Sequence, residues 1–213
     1  MSIKQDREYR NFEMRALEPE GEAPKKIVRG YATTFENAYV LYDDGEYEIR
    51  ERMDPHAFDD TDMADVIMQY NHEGRVFARK SNGTLETTVD ERGLAIEADL
   101  GGTDLGAQVY QEILGGYTNK MSIGMKVDRS RDVWTTEQLA DKIIETRTIN
   151  KVLKLYDVSA VSIPANDATS ISVRALVDGE IERLKAERLE AQKLELERRR
   201  AEVRARALGG RNE

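Results

Sequence analysis

The sequence predicts a mixed α+β protein that is mainly β, a β-barrel with flanking helices followed by a long charged C-terminal helix. Many short runs rich in β-branched and aromatic residues are separated by turn residues, which is typical of a sandwich or barrel. Helical segments interrupt these runs and do not alternate with them, which favours a mixed barrel over a doubly wound parallel sheet. From residue 180 to residue 208 the composition changes to mostly Glu, Arg, Lys, Ala and Leu without Pro or Gly, which indicates an exposed helix.

The first predicted strands form a hairpin. Residues 11–17 place Phe12, Met14 and Ala16 on one side of the chain, the two-residue period of a half-buried strand. A segment rich in Pro, Gly and Glu (18–24) predicts a turn, and residues 26–35 are expected to pair back. Further strands are predicted over residues 47–53, 66–70, 84–89, 94–100, 122–127, 146–155 and 158–163.

Two helices are predicted within the body of the chain. Residues 103–114 begin at a capping Thr103 and end before Gly115 and Gly116. Residues 136–144 are predicted as the second helix, with Thr135 or Thr136 as its cap. The body is assigned to residues 1–176 as the catalytic or assembly domain, and residues 177–213 are assigned to a charged helical tail, a candidate delivery or scaffold element or a segment that the chain removes from itself.

The tail helix over residues 180–208 has two open interpretations. Glu and Arg residues recur one turn apart along it, which suits a solvated helix. Leu189, Leu196 and Val203 are spaced by seven residues, as in a coiled coil, but other apolar residues lie on a different stripe. A solvated helix and a coiled-coil or partner-docking helix therefore both remain open.

Composition excludes several classes of function. The chain has no run of about eighteen apolar residues and no basic-then-apolar N-terminus, so neither a membrane span nor a signal peptide is predicted. The absence of cysteine excludes disulfides, thiolate metal sites and a cysteine nucleophile. Residues 1–179 hold 22 basic and 33 acidic residues and residues 180–213 hold ten and eight, so the body carries −11 and the tail +2. An acidic body argues against general nucleic-acid binding.

Two histidines limit the search for a general base. His56 follows an Asp-Pro turn, where a surface histidine is expected. His72 follows the apolar run 66–70 at the point where a loop begins, and functional side chains concentrate at such edges. A metal site built on His56 and His72 lacks the ligand spacing and the cysteines that would complete it, and no cofactor is predicted.

Ser122 and Asp157 are the other candidate catalytic residues. Ser122 follows a helix and a Gly-Gly turn, and Gly124 would let a substrate backbone approach closely. Asp157 is a carboxylate amid apolar residues and needs a donor if it is buried, which an imidazole, a backbone N–H or an arginine could supply. A Ser/His/Asp set spread over the chain is therefore feasible.

These residues belong to an ordered series of short motifs between residues 9 and 172, namely 29–35, 53–58, 70–73, 82–85, 92–94, 121–125 and 157–166. The series resembles the prohead serine proteases of tailed bacteriophages, which are distantly similar to the herpesvirus capsid maturation protease. The resemblance implies a closed or nearly closed β-barrel ringed by helices. It implies His72 as general base, Ser122 as nucleophile and Asp157 as third member, where the family commonly has Glu.

The activity that the resemblance implies is peptide hydrolysis through an acyl-enzyme, acting on capsid and scaffold precursors and on the chain itself during head assembly. Gly124, Arg129, Arg131 and Arg147 are candidates for the substrate and oxyanion region or for bracing the site. The implied partners are the major capsid protein precursor and scaffold segments, with the portal and a second copy of the chain as further candidates. The implied location is the host cytoplasm, inside the assembling prohead. The alternative is a non-catalytic scaffold or assembly factor with an inert barrel.

Overall fold

Twelve strands and two helices form the described part of the chain, which in this computed structural model is residues 7–18, 25–35, 38–161 and 171–209. The strands are Glu8–Ala16 (β1), Ile27–Thr34 (β2), Tyr39–Asp43 (β3), Tyr47–Met53 (β4), Ile67–Tyr70 (β5), Glu73–Arg79 (β6), Leu85–Val89 (β7), Gly93–Asp99 (β8), Lys120–Val127 (β9), Val133–Gln138 (β10), Ile143–Ile149 (β11) and Val152–Val161 (β12). The helices are Asp104–Leu114 (α1) and Ile171–Gly209 (α2). The chain divides into two compact units, Met1–Arg174 and Ala175–Glu213.

Eight of the strands form one sheet in the order β6-β5-β12-β9-β1-β2-β8-β7. The two edge strands, β6 and β7, are consecutive in the chain and are joined by the short 3-10 turn Lys80–Asn82, so the sheet curls into a nearly closed barrel. Gly30 lets the paired strands β1 and β2 approach closely, because a Cβ atom there would lie 2.8 Å from the carbonyl oxygen of Glu13. Apolar side chains from several strands fill the core, including Met68, Leu94, Ile123 and Val158. The predicted fold class is confirmed.

The other four strands form a second sheet in the order β10-β11-β4-β3, in which β11 and β4 are parallel. The prediction of a helix over residues 136–144 is wrong, because these residues form the end of β10, a turn and the start of β11. The Leu139 amide donates a 2.8 Å hydrogen bond to the Lys142 carbonyl and closes the turn. Strands favour aromatic and β-branched residues such as Trp134, Thr135 and Thr136. Pairing of β11 with β4 outweighs the local helix propensity of the residues that follow.

The remaining strand predictions need smaller corrections. Residues 146–155 form the end of β11 and the start of β12, separated by Asn150 and Lys151, and not one strand. The sequence does not predict β3 and β6. Charged residues interrupt the apolar alternation of β6, and β3 is a short apolar and aromatic run that ends at Asp43 and shows no alternation. The predicted turn over residues 18–24 and the end of the predicted strand 158–163 lie largely outside the described residues.

The predicted helices at residues 103–114 and 180–208 are confirmed. Thr103 caps α1, since its Oγ1 accepts a 3.0 Å hydrogen bond from the Gly106 amide, and Gly116 follows the helix with a φ angle of 76°. Helix α2 extends beyond the predicted bounds at both ends. The large apolar side chains that the structure describes from residue 189 to residue 204 are exposed, namely Leu189, Leu194, Leu196 and Val203. Neither described helix is long and apolar enough to cross a membrane.

Candidate active site

His72 lies in the tight turn between β5 and β6, at the strand end where the sequence predicts it. Asn71 and His72 both adopt left-handed backbone conformations, with φ angles of 50° and 58°. Such conformations cost about 1–2 kcal/mol per residue, although asparagine tolerates them better than most residues do. The Asn71 amide donates a 2.8 Å hydrogen bond to the Ala160 carbonyl of β12. This bond ties the strained turn to the neighbouring strand and brings the His72 imidazole toward it.

Asp157 lies within β12, and its carboxylate is fully buried. His72 Nδ1 lies 2.5 Å from Asp157 Oδ1, although the two residues are 85 positions apart in the chain. A hydrogen bond from the imidazole to an ionised carboxylate needs the proton on Nδ1, and that arrangement leaves Nε2 as the basic nitrogen of the ring. The structure therefore brings two of the three predicted residues together, with Nδ1 of His72 facing the carboxylate.

Ser122 lies on β9, the strand next to β12, and stands directly opposite Ser159. Opposite residues of antiparallel strands project to the same face, as do residues two apart on one strand. Ser122, Ser159 and Asp157 therefore share one face of the sheet. Ser122 is 1% exposed, and its hydroxyl makes no hydrogen bond within the described part of the chain. A buried hydroxyl left without any hydrogen bond costs about 1–3 kcal/mol, so the Ser122 hydroxyl is expected to bond to a water or to a bound substrate.

Gly124 lies two residues after Ser122 and opposite Asp157. A β-bulge between Leu155 and Asp157 shifts the register of β12 at this point, and bulges of this kind redirect side chains. Glycine adds no side chain at the position paired with Asp157. Gly124 also pairs with β1, so its backbone lies in the interior of the sheet.

Two of the candidate arginines belong to a buried charge network. Arg147 of β11 is fully buried and forms ion pairs with Glu8 (2.8 Å), Glu51 (2.8 Å) and Asp132 (2.6 Å). Arg129 Nε donates a 2.9 Å hydrogen bond to Glu8 Oε1. The network therefore joins β1 of the barrel to β11 and β4 of the smaller sheet.

The network lies on the opposite side of β9 from Ser122. Glu8 and Arg10 of β1 stand opposite Met125 and Ile123 of β9, the residues that alternate with Ser122 along the strand. Arg10 pairs with Glu8 at 2.8 Å and also binds Glu51. These charges support the reverse face of the strand that carries Ser122.

The charges of the network perturb one another strongly. Burial alone would raise the pKa of the Glu8 carboxyl, but Arg10, Arg147 and Arg129 outweigh burial and lower this pKa to about 2. Burial likewise opposes the charge of Arg147, yet Glu51, Glu8 and Asp132 raise the pKa of its guanidinium. Both groups therefore stay ionised at neutral pH.

The remaining sequence candidates lie at the surface. Arg131 has a side chain that is 65% exposed, with its Nε 3.6 Å from a carboxylate oxygen of Asp128. His56 is also exposed, and its Nδ1 lies 3.2 Å from Asp59. Over the ranges that the structure describes, no group of three or more His, Asp or Glu side chains is arranged to hold a metal ion.

Two residues that contact Asp157 are not indicated by the sequence patterns described above. Ser159 Oγ donates a 2.8 Å hydrogen bond to Asp157 Oδ1, and Arg7 Nη1 lies 3.4 Å from Asp157 Oδ2. The alternation of a strand could have indicated Ser159, because residues two apart share a face. Arg7 is 150 positions from Asp157, and no local pattern in the sequence points to it.

A serine, a histidine and an aspartate contributed by separate segments, with the histidine already bonded to the aspartate, are the residue set that serine hydrolases use. Over residues 10–185 the chain matches the family of caudovirus prohead serine proteases. This match spans most of the chain, and the chain belongs to that family. No curated protein and no solved structure matches the chain significantly. The family resemblance drawn from the sequence motifs is confirmed.

Proposed function

We propose that this protein is a serine endopeptidase that matures the phage capsid precursor, with Ser122 as nucleophile, His72 as general base and Asp157 as the acid that orients His72. The observation that carries the proposal is the 2.5 Å contact between His72 and Asp157, on the sheet face that also holds the buried Ser122 hydroxyl. Membership of a serine protease family supports the same chemistry.

The proposed reaction has two halves. Ser122 Oγ attacks the carbonyl carbon of the scissile peptide while His72 Nε2 takes the hydroxyl proton, and backbone N–H groups hold the oxyanion. Asp157 stabilises the imidazolium, which then gives its proton to the leaving amine as the C–N bond breaks. Water attacks the resulting acyl ester, passing a proton to His72. The acid fragment leaves, and the proton returns to Ser122.

The proposed substrates are the major capsid protein precursor, scaffold segments and the chain itself, inside the assembling head in the host cell. The portal and a second copy of the chain are further proposed contacts. Gly124 is assigned to the substrate and oxyanion region, because it lies two residues after Ser122 on β9 and is paired with Asp157. Arg147 and Arg129 are assigned to bracing β9, since both bind Glu8 on its reverse side. Arg131 is exposed and is therefore available to a charged substrate segment.

Incubation with coat precursor tests the proposal. Wild-type protein is expected to shorten the precursor and itself, as seen by mass measurement of the fragments. Ser122→Ala and His72→Ala should stay folded but lose roughly three or more orders of magnitude in cleavage rate. His56→Ala and Ser81→Ala remove the same residue types at exposed positions and should cleave normally.

The outcomes separate the competing functions. Near-normal cleavage by Ser122→Ala or His72→Ala would refute the catalytic assignment. A folded wild-type protein that never cleaves, yet joins assembling capsids, would support the inert assembly factor. Cleavage that a chelator abolishes would favour a metallohydrolase over the acyl-enzyme reaction.

A further inference from the structure

The Asp157 carboxylate receives two side-chain contacts besides the one from His72. Ser159 Oγ donates to Oδ1 at 2.8 Å, and this is the same oxygen that His72 Nδ1 contacts. Arg7 Nη1 lies 3.4 Å from the other oxygen, with its guanidinium 4.0 Å from the centre of the Tyr156 ring. Both oxygens of a fully buried carboxylate are therefore held in place.

Ser159 is placed to act on the other members of the site. It is fully buried, lies two residues beyond Asp157 on β12, and stands opposite Ser122 on β9. Its one hydroxyl proton is committed to Asp157, so Ser159 cannot donate that proton elsewhere. Ser122 is then the serine of this pair whose proton a base can take.

We propose that Ser159 is a positioning residue of the reaction, a fourth member of the site that holds the Asp157 carboxylate for His72. This inference rests on the proposed function. A buried carboxylate with fewer donors can turn about its Cβ–Cγ bond, whereas a second donor to Oδ1 keeps that oxygen in line with Nδ1. The same hydrogen bond withdraws negative charge from the oxygen that faces His72. The imidazolium is then stabilised less, and it gives its proton more readily to the leaving amine.

The reactivity of Ser122 toward a fluorophosphonate tests the proposal without knowledge of the natural cleavage site. A P–O bond forms to Ser122 Oγ, fluoride leaves, and the hydroxyl proton passes through His72 to solvent. Ser159→Ala is expected to slow labelling by about 10- to 100-fold, the range found when the hydrogen-bond partners of metal-binding histidines are removed, since those partners also orient an imidazole or a carboxylate. Ser159→Thr keeps the hydroxyl on a residue suited to a strand and should restore most of the rate. Ser81→Ala is the matched control and should label at the wild-type rate.

A second measurement follows the His72 imidazole directly by NMR. The chain has two histidines, so His56→Gln leaves a single imidazole to observe. In a Ser122→Ala background, Ser159→Ala is expected to raise the pH at which His72 takes up a proton and to shift its Nδ1–H resonance. The neighbouring charges, Asp157, Arg7 and the adjacent Glu73, are the same in both samples. A purely structural role of Ser159 would leave this titration unchanged.

Wild-type labelling of Ser159→Ala together with an unchanged His72 titration would overturn the proposal. Equal slowing by the Ala and Thr variants with an unchanged titration would overturn it as well, because the hydroxyl would then be irrelevant. If Ser159→Ala does not fold, Ser159→Cys supplies a weaker donor of similar size and should label at an intermediate rate. A folded wild-type chain in which Ser122 is never labelled would count against the proposed function, while the titration still decides the role of Ser159.

Discussion

Asp157, the proposed third member of the site, stands where the motif resemblance implies a glutamate. Its side chain is one methylene shorter than glutamate, yet it lies 2.5 Å from His72. Two features of the backbone lie beside this short contact, one next to each of the two residues. A bulge precedes Asp157 on β12, and the left-handed turn at Asn71 and His72 is tied to the same strand. An acid with a shorter side chain thus reaches the imidazole.

Substitution of Asp157 tests whether the carboxylate acts in the reaction. Asp157→Asn should keep the fold but lower kcat/KM by roughly 10³- to 10⁴-fold, because an amide can donate to Nδ1 and thereby favours the wrong tautomer. Asp157→Glu should retain more activity, since it keeps a carboxylate. Cleavage rates and thermal unfolding of the three proteins are compared. Equal, near-normal activity of both variants would reduce Asp157 to a structural acceptor.

Among the elements, the contact between the smaller sheet and the barrel depends on charge. Glu8 and Arg10 come from β1, Glu51 from β4 and Arg147 from β11, and their side chains are buried together. Removing one member of such a network costs about 3–5 kcal/mol, because its partner is left buried without compensation. The network therefore couples the stability of the smaller sheet to that of β1, the strand that pairs with the Ser122 strand β9.

Glu8 makes this coupling depend on pH. Its pKa is lowered from 4.5 to about 2, so its stabilising contribution is complete above about pH 4.5 and is lost as the pH falls toward 2. Glu8→Gln should lower the free energy of unfolding at neutral pH by on the order of 3 kcal/mol. The free energy of unfolding of this variant should also fall less than that of the wild type between about pH 4.5 and pH 2. Urea unfolding at several pH values measures both effects. Glu13→Gln, on the same strand but exposed and paired with Lys120, should change little. If the two variants had the same free energy of unfolding at every pH, the assignment of the acid-dependent stability to Glu8 would be wrong.

Local patterns in the sequence predict elements better than they predict pairings. Alternation and turn residues predict most strands. Residue chemistry makes a set of His72, Ser122 and Asp157 feasible, and the motif resemblance gives each of the three its role. The meeting of His72 with Asp157 depends on parallel pairing of β5 with β12, which joins residues 85 positions apart. Residues 136–144 favour a helix locally, but pairing with β4 makes the region a hairpin. The Arg147–Glu8 contact spans 139 positions and is equally invisible to a local pattern.

At the scale of the whole molecule, the end of α2 extends beyond the family match. The match ends at residue 185, whereas α2 continues to Gly209. From residue 188 the chain holds eight basic and five acidic residues, and the large apolar side chains described there are exposed. A maturation protease must enter the shell before it cleaves, and a tether raises its effective concentration near coat protein without changing the active site. These features favour a delivery role for this part of the helix.

A chain that ends at Glu187 separates delivery from catalysis. We expect it to fold and to cleave denatured coat precursor at about the wild-type rate, because His72, Ser122 and Asp157 all lie before the cut. It should be packaged poorly in assembling heads, as measured by its ratio to coat protein in purified particles.

A full-length chain with Leu189, Leu196 and Val203 all changed to Gln keeps the length and charge of the tail. Poor packaging of this variant would assign delivery to the apolar stripe, and normal packaging would assign it to the basic charges, whose attraction to acidic partners weakens with salt. A shortened chain that is unfolded would place the end of α2 in the catalytic unit, and one packaged as well as the full chain would remove the delivery role.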